Sequence, residues 1–135
     1  MQTTTNWSGF STLSGPRVTT WLYDGLRGWL TNKLYAGSNG PVYAYTPAGR
    51  LQARTWVRTD AYNNPISTTY GYDAAGGLTN IVYSDTTSSV TNRYNRLGQL
   101  ISVAGNGMVD SLKYNLAEQL LSESFSGVKG LIIRE

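Results

Sequence analysis

Tyr70-Gly71-Tyr72-Asp73-Ala74-Ala75-Gly76-Gly77-Leu78 is the stretch of sequence that decides the fold. Its two tyrosines are two residues apart, so in a strand their side chains share one face. Residues 73–77 have turn composition, because Asp accepts bonds from nearby backbone N–H groups and Gly adopts positive φ without a steric penalty. Residues 78–83 return to strand composition. The stretch therefore predicts a β-hairpin.

Four further stretches repeat this pattern, at residues 21–30, 43–51, 94–100 and 114–120. Each has an aromatic anchor, then a small polar turn, then a leucine. The anchor tyrosines recur about every 20 to 27 residues, at Tyr23, Tyr45, Tyr72, Tyr94 and Tyr114. A period in this range indicates a repeat protein, in which each unit packs mainly on its neighbours.

The predicted fold class is all-β: an antiparallel meander of stacked hairpins that forms a curved or spiralling sheet. Helical windows are nearly absent, because Gly or Pro interrupts most stretches of a dozen residues. We expect the anchor tyrosines to form one row and the returning leucines a second row beside it, at Leu51, Leu78, Leu100 and Leu120. The turns are expected to depend on Gly49, Gly76 and Gly98.

Three segments follow from this pattern. Residues 21–126 hold the five repeats. Residues 1–20 are rich in Thr and Ser, and form either an extra hairpin or a disordered segment. Residues 127–135 are predicted to add a final apolar strand, in which Leu131, Ile132 and Ile133 could dock on another strand edge.

Composition excludes several classes of function. The 135 residues contain no cysteine and no histidine, which excludes disulfides, Cys/His metal sites and histidine-dependent nucleophilic catalysis. The net charge is +3, and the arginines are scattered along the chain, so no nucleic-acid footprint is predicted. No apolar run approaches transmembrane length, and membrane insertion is not expected.

The phrase Tyr-Asp-x-x-Gly-Arg-Leu resembles the YD repeat, also called the RHS repeat. This family occurs in bacterial rearrangement-hotspot proteins, in the C component of insecticidal toxin complexes and in animal teneurins. The resemblance covers residues 21–126 and is strongest in the second and third repeats. The first repeat departs from the pattern, with Arg27 in place of a glycine, and the fifth has Glu118 there.

The resemblance implies a long β-ribbon that spirals into a hollow shell on a secreted or cell-surface protein. The aspartyl self-cleavage segment of the family is missing, so no catalytic residue is carried over. The implied function is a structural module: a piece of an RHS/YD shell, or a self-assembling fibre or oligomer. Its expected partner is the remainder of a larger RHS/YD protein, or a second copy that pairs through open strand edges.

Two other classes of function are an enzyme and a carbohydrate-binding module. An enzyme is not predicted and no cofactor is expected, because Asp24 and Asp73 occupy equivalent turn positions where capping explains them. A carbohydrate-binding surface is the alternative function. In that case Trp21, Trp29 and Trp56 would present flat rings to a glycan.

Overall fold

The computed structural model describes residues 2–7, 16–36, 39–127 and 132–134. Because β-branched and aromatic residues dominate between the turns, these residues form twelve strands. In chain order they are β1 (Gln2–Trp7), β2 (Pro16–Tyr23), β3 (Leu30–Leu34), β4 (Val42–Tyr45), β5 (Leu51–Thr59), β6 (Pro65–Tyr72), β7 (Leu78–Tyr83), β8 (Val90–Tyr94), β9 (Leu100–Gly105), β10 (Met108–Tyr114), β11 (Leu120–Gly127) and β12 (Ile132–Arg134).

The strands hydrogen-bond in the order in which they occur in the chain, without a crossover connection. This order confirms the predicted all-β antiparallel meander. The chain divides into two compact units, Met1–Thr68 and Thr69–Glu135. The boundary lies inside β6, and each unit is described separately below.

The first unit contains β1 to β5 and the start of β6. Strand β1 pairs with β2 from Gln2 opposite Trp21 to Trp7 opposite Pro16. Strand β3 meets β4 over a short ladder, in which Asn32 opposes Val42 and the N–H of Lys33 donates to the carbonyl of Pro41 at 3.1 Å.

The second unit continues the meander with β7 to β12. Strands β8 and β9 pair over five positions, and β10 and β11 pair over seven. Strand β12 lies opposite residues 123–125 of β11. The predicted apolar tail is described only at residues 132–134, and Leu131 lies outside the described residues.

Burial is sparse for a chain of this length. Among the described side chains, only Pro41, Ile66 and Thr68 are buried. Thr68 is 2% exposed, and its hydroxyl oxygen accepts a hydrogen bond from the Trp56 indole N–H at 3.0 Å. Most other side chains in the strands are half-buried. The sheet is therefore stabilised mainly by its backbone ladder and by contacts between neighbouring hairpins.

None of the described segments forms a helix long and apolar enough to cross a bilayer.

Candidate functional site

Four of the five repeat turns share one backbone geometry, in which the first residue is polar. In the four turns that begin at residues 46, 73, 95 and 115, the N–H of the first residue donates to the carbonyl of the fifth at 2.8 to 3.0 Å. The N–H of the fourth residue donates back to the carbonyl of the first at 2.9 to 3.1 Å. The fourth residue has positive φ in each turn: +81° at Gly49, +94° at Gly76, +80° at Gly98 and +65° at Glu118.

The first side chain of each turn caps it. Asn95 Oδ1 accepts bonds from the N–H groups of Leu97 and Gln99 at 2.9 and 3.0 Å, and Asn115 makes the equivalent pair of bonds. Asp73 Oδ1 accepts from the N–H of Gly77 at 2.8 Å, four residues on rather than two. The polar residue of the repeat phrase therefore organises the turn.

The first repeat has a longer turn. The N–H of Asp24 donates to the carbonyl of Trp29 at 2.9 Å, one residue further on than in the other repeats. Asp24 Oδ1 accepts N–H bonds from Leu26, Arg27 and Gly28. The extra residue moves the positive φ from Arg27 to Gly28, at +69°. Arg27 therefore does not interrupt the pattern.

The bonds within this turn also lower the pKa of Asp24, and the hydrogen bond from the Arg27 N–H is the largest cause. A carboxylate whose pKa is lower in the folded state stabilises the fold above its ordinary pKa. That contribution is lost as the pH falls below about 4.

A sixth turn of the same geometry lies at residues 60–64 and overlaps the secondary turn that the sequence predicts between repeats at residues 62–65. The Asp60 N–H donates to the Asn64 carbonyl at 2.9 Å, and Asp60 Oδ1 accepts from Tyr62 and Asn64 at 2.8 Å each. Asn63 takes the positive φ, at +63°. The sequence predicts a turn here but not its repeat-type geometry, because no anchor tyrosine precedes it. An Asp followed three residues later by Asn was the available signal.

Glu118 offers a direct test of the turn geometry, because non-glycine residues pay a penalty at positive φ. We expect Glu118→Gly to raise the free energy of unfolding by about 1 kcal/mol. The matched change is Gly98→Ala, which should lower it by a similar amount. An added Cβ at Gly98 meets no atom within 4 Å, so the change isolates the backbone effect. Urea titration measures both variants, and a destabilised Glu118→Gly would contradict the assignment.

Four of the repeat hairpins also carry a β-bulge at an equivalent position. The register shifts by one residue just before the anchor tyrosine in the hairpins β2–β3, β4–β5, β8–β9 and β10–β11. As a result, the anchor lies opposite the returning leucine. The observed pairs are Tyr23 with Leu30, Tyr45 with Leu51, Tyr94 with Leu100 and Tyr114 with Leu120.

An inter-repeat hydrogen bond joins one hairpin to the one before it. The hydroxyl of Tyr45 donates to the carbonyl of Leu30 at 3.0 Å. Tyr94 donates to Leu78 at 3.1 Å, and Tyr114 donates to Leu100 at 2.8 Å. The acceptor in each case is the first strand residue after the preceding repeat turn. The pKa of Tyr45 is raised above its ordinary value, and burial is the larger cause.

The remaining anchors lie in equivalent strand positions. Tyr23 is 39% exposed at the end of β2, and Tyr72 is half-buried at the end of β6. Leu120 is 53% exposed, whereas Leu51, Leu78 and Leu100 are half-buried. The rows predicted from sequence are therefore only partly covered.

We call the side of the sheet that carries the anchor tyrosines the tyrosine face. In the first unit, Trp21 opposes Lys33 and Tyr43 opposes Arg54. Strand alternation then adds Trp56 and Arg58 to the same face. The Arg54 guanidinium lies 3.6 Å from the centroid of the Trp56 ring, and the Arg58 guanidinium lies 5.6 Å from it.

The three tryptophans predicted to contact a ligand each have a cation over the ring. Besides the Arg54 contact with Trp56, Lys33 lies 5.8 Å from the Trp21 ring, and Arg27 lies 4.7 Å from the Trp29 ring. Trp29 also packs 5.2 Å from Tyr45. One face of each indole is therefore occupied within the protein, and glycan binding stays a prediction.

In the second unit, the tyrosine face contains a depression of about 360 Å³. Its lining is mostly apolar and includes Val90, Val103, Met108 and Phe125. Asp110 lies among them, because it opposes Val103 on one side and Phe125 on the other. Its Oδ1 atom is buried and has no hydrogen-bond partner.

The described residues contain no cluster of three or more Asp, Glu, His or Cys side chains that could hold a metal ion.

Comparisons with known proteins show likenesses to solved structures. No protein-family model and no curated protein matches the chain. Among solved structures, the chain is similar to one in the crystal structure of TcdB2-TccC3-Cdc42, with a TM-score of 0.43 and 19% identity. The match covers 88% of the present chain and 8% of the other one.

Proposed function

We propose that this chain is a non-catalytic structural module, a segment of β-sheet wall in a larger RHS/YD-type repeat protein. The observation that carries the proposal is the inter-repeat hydrogen bond. The same tyrosine position bonds to the same carbonyl position of the preceding hairpin in three separate places. Such a bond forms only when hairpins lie side by side, so the repeat unit is built for stacking.

The chemistry of the turns supports a structural role. The carboxylates of Asp24, Asp60 and Asp73 accept backbone N–H groups of their own turns. These hydrogen bonds occupy carboxylate oxygens of three aspartates that each begin a turn. The polar residues of the repeats thus stabilise hairpins, which is the task of a wall.

The finer proposal concerns how the wall continues. Strand β1 begins the meander and β12 ends it, so each has one neighbour in the strand order. An edge strand can pair with a further strand of the same or another chain. We propose that these edges join the module to the rest of a secreted or cell-surface protein, or to other copies in a fibre or oligomer.

The assembly is tested by electron microscopy and size-exclusion chromatography of the concentrated chain. We expect rings or fibres, and we expect Ile133→Lys to block their growth because a charge on an edge strand opposes pairing. Val57→Lys is the matched control, since Val57 is 43% exposed within the interior strand β5. A compact monomer at high concentration would contradict self-assembly. The proposal that the chain is a wall segment of a larger protein would then stand alone.

The wall segment itself is tested by hydrogen exchange. We expect protection to be high in the interior strands and low in β1 and β12 when the chain is alone. In the longer parent protein, the same edge strands should become protected. Edge strands that exchange equally fast in both states would contradict the proposal.

A further inference from the structure

The tyrosine face differs in charge between the two units. Residues 1–68 contain six Lys and Arg residues and two Asp residues, whereas residues 69–135 contain five Lys and Arg against six Asp and Glu. The only carboxylates in the first unit, Asp24 and Asp60, lie in turns and cap them. Its tyrosine face therefore carries three cationic side chains, Lys33, Arg54 and Arg58.

The equivalent face of the second unit has the opposite character. Asp110 lines the apolar depression on this face, and no Lys or Arg is among the strand residues of the face whose side chains are described. Arg93 and Lys113 each directly precede an anchor tyrosine. Because side chains alternate along a strand, both lie on the other side of the sheet. Glu123 lies on the same face, because it opposes Leu112, which is two residues from Asp110 along β10.

Each face also contains a charged group with a buried atom that lacks a hydrogen bond: Arg54 Nε on the first and Asp110 Oδ1 on the second. A buried polar atom without a partner is costly, and a carboxylate in an apolar depression is especially so. Native proteins rarely leave such atoms unsatisfied. A cation that entered the depression beside Val103 and Phe125 would supply the missing bond.

The faces are also incompletely covered. In the first unit Tyr35 is 43% exposed, and in the second Met108 is 54% exposed at the rim of the depression. A sheet with an apolar face is normally covered by a second layer about 10 Å away. Lys and Arg side chains can reach across much of that distance through their apolar stems.

We propose that the tyrosine face of the first unit of one copy packs on the tyrosine face of the second unit of another copy. Lys33 and Arg58 of one copy lie against Asp110 of the other, and the apolar side chains around them form the intervening layer. A second copy is the occupant because one chain carries both complementary faces. This contact is between faces, and it is independent of the strand edges in the proposed function.

Charge reversal tests the contact. The first variant, Lys33→Glu with Arg58→Glu, makes the basic face acidic, and the second, Asp110→Lys, makes the acidic face basic. In analytical ultracentrifugation, we expect each variant alone to associate at least about tenfold more weakly than the unchanged chain. An equimolar mixture should recover association, because each altered face then meets a complementary one.

The matched control is Arg93→Glu with Lys113→Glu, which makes the same change in net charge on the opposite side of the sheet. It should leave association unchanged. If Asp110→Lys does not fold, as circular dichroism would show, Asp110→Asn replaces it and should weaken association less. A monomeric unchanged chain, or a mixture that fails to associate more tightly than either variant alone, would overturn the proposal.

A second readout separates face contact from edge pairing. Isotopically light and heavy copies are mixed and treated with a carbodiimide, which joins amines to carboxylates. We expect a mixed-isotope link between Lys33 and Asp110. If edge-paired assemblies form but this link is absent, the face contact is overturned and the proposed function is unaffected. The face contact would also be overturned if another segment of a longer parent protein covered the tyrosine face and the chain did not self-associate.

Discussion

Gly40→Ala is expected to destabilise the first unit more than any other single change considered, by at least about 3 kcal/mol. Gly40 lies directly against the Lys33–Leu34 peptide, and an added Cβ would collide with the carbonyl oxygen of Lys33. The obstacle is backbone, so no side-chain rotation relieves it. The Lys33 N–H also donates to Pro41, so the shift would disturb the short β3–β4 ladder. Urea titration followed by tryptophan fluorescence measures the loss.

Gly25→Ala is the matched control for this change. An added Cβ at Gly25 meets no atom within 4 Å, and Gly25 does not have positive φ. Its free energy of unfolding should therefore change by less than about 0.5 kcal/mol. Equal stability of the Gly40 and Gly25 variants would show that the β3–β4 connection is not as close as described.

Tyr94→Ala is the second change with a large expected effect, a loss of about 2 to 3 kcal/mol. The Tyr94 ring packs on Gly77 of the preceding turn, where an added Cβ would lie 3.1 Å from the ring. Its hydroxyl donates to the Leu78 carbonyl. Truncation therefore removes both the ring contact and the hydrogen bond between the third and fourth repeats.

Two control variants separate the contribution of the Tyr94 ring from that of its hydroxyl. Tyr94→Phe keeps the ring and removes only the hydroxyl, so it should cost about 1 kcal/mol. Tyr62→Ala removes a tyrosine that is 85% exposed and should be close to neutral. Thermal unfolding of the three variants gives the order Tyr94→Ala, Tyr94→Phe, Tyr62→Ala. If Tyr94→Phe were as damaging as Tyr94→Ala, the ring contact would contribute little.

The hairpins were predictable because their determinants are local. The bonds of the turn at residues 73–77 join atoms at most four residues apart, and a short sequence window contains all of them. At residues 60–64 the sequence predicts a turn but not its repeat-type geometry, because the tyrosine and leucine that flank the other turns are absent. Glu118 departs from the glycine pattern, yet its turn forms, because the capping bonds of Asn115 are retained.

The candidate contact surfaces were not predictable in the same way. The sequence does not show which side chains lie over the three tryptophans of the alternative carbohydrate-binding function, whereas in the structure Arg54 lies over the ring of Trp56, two residues further along β5. The sequence around Asp110 does not show that its side chain lies in apolar surroundings. Its apolar surroundings come from Val90, Val103 and Phe125, which lie on three other strands.

By itself the sequence determined the repeat period, the capped turns and the all-β antiparallel class, because each depends on residues a few positions apart. Tertiary structure decided which carbonyl each anchor tyrosine reaches, which charges share a face and how little of the sheet is buried. Those features depend on the register between strands, and a one-residue bulge before every described anchor pair changes that register. Because side chains alternate between faces, a shift of one residue reassigns every neighbour beyond it.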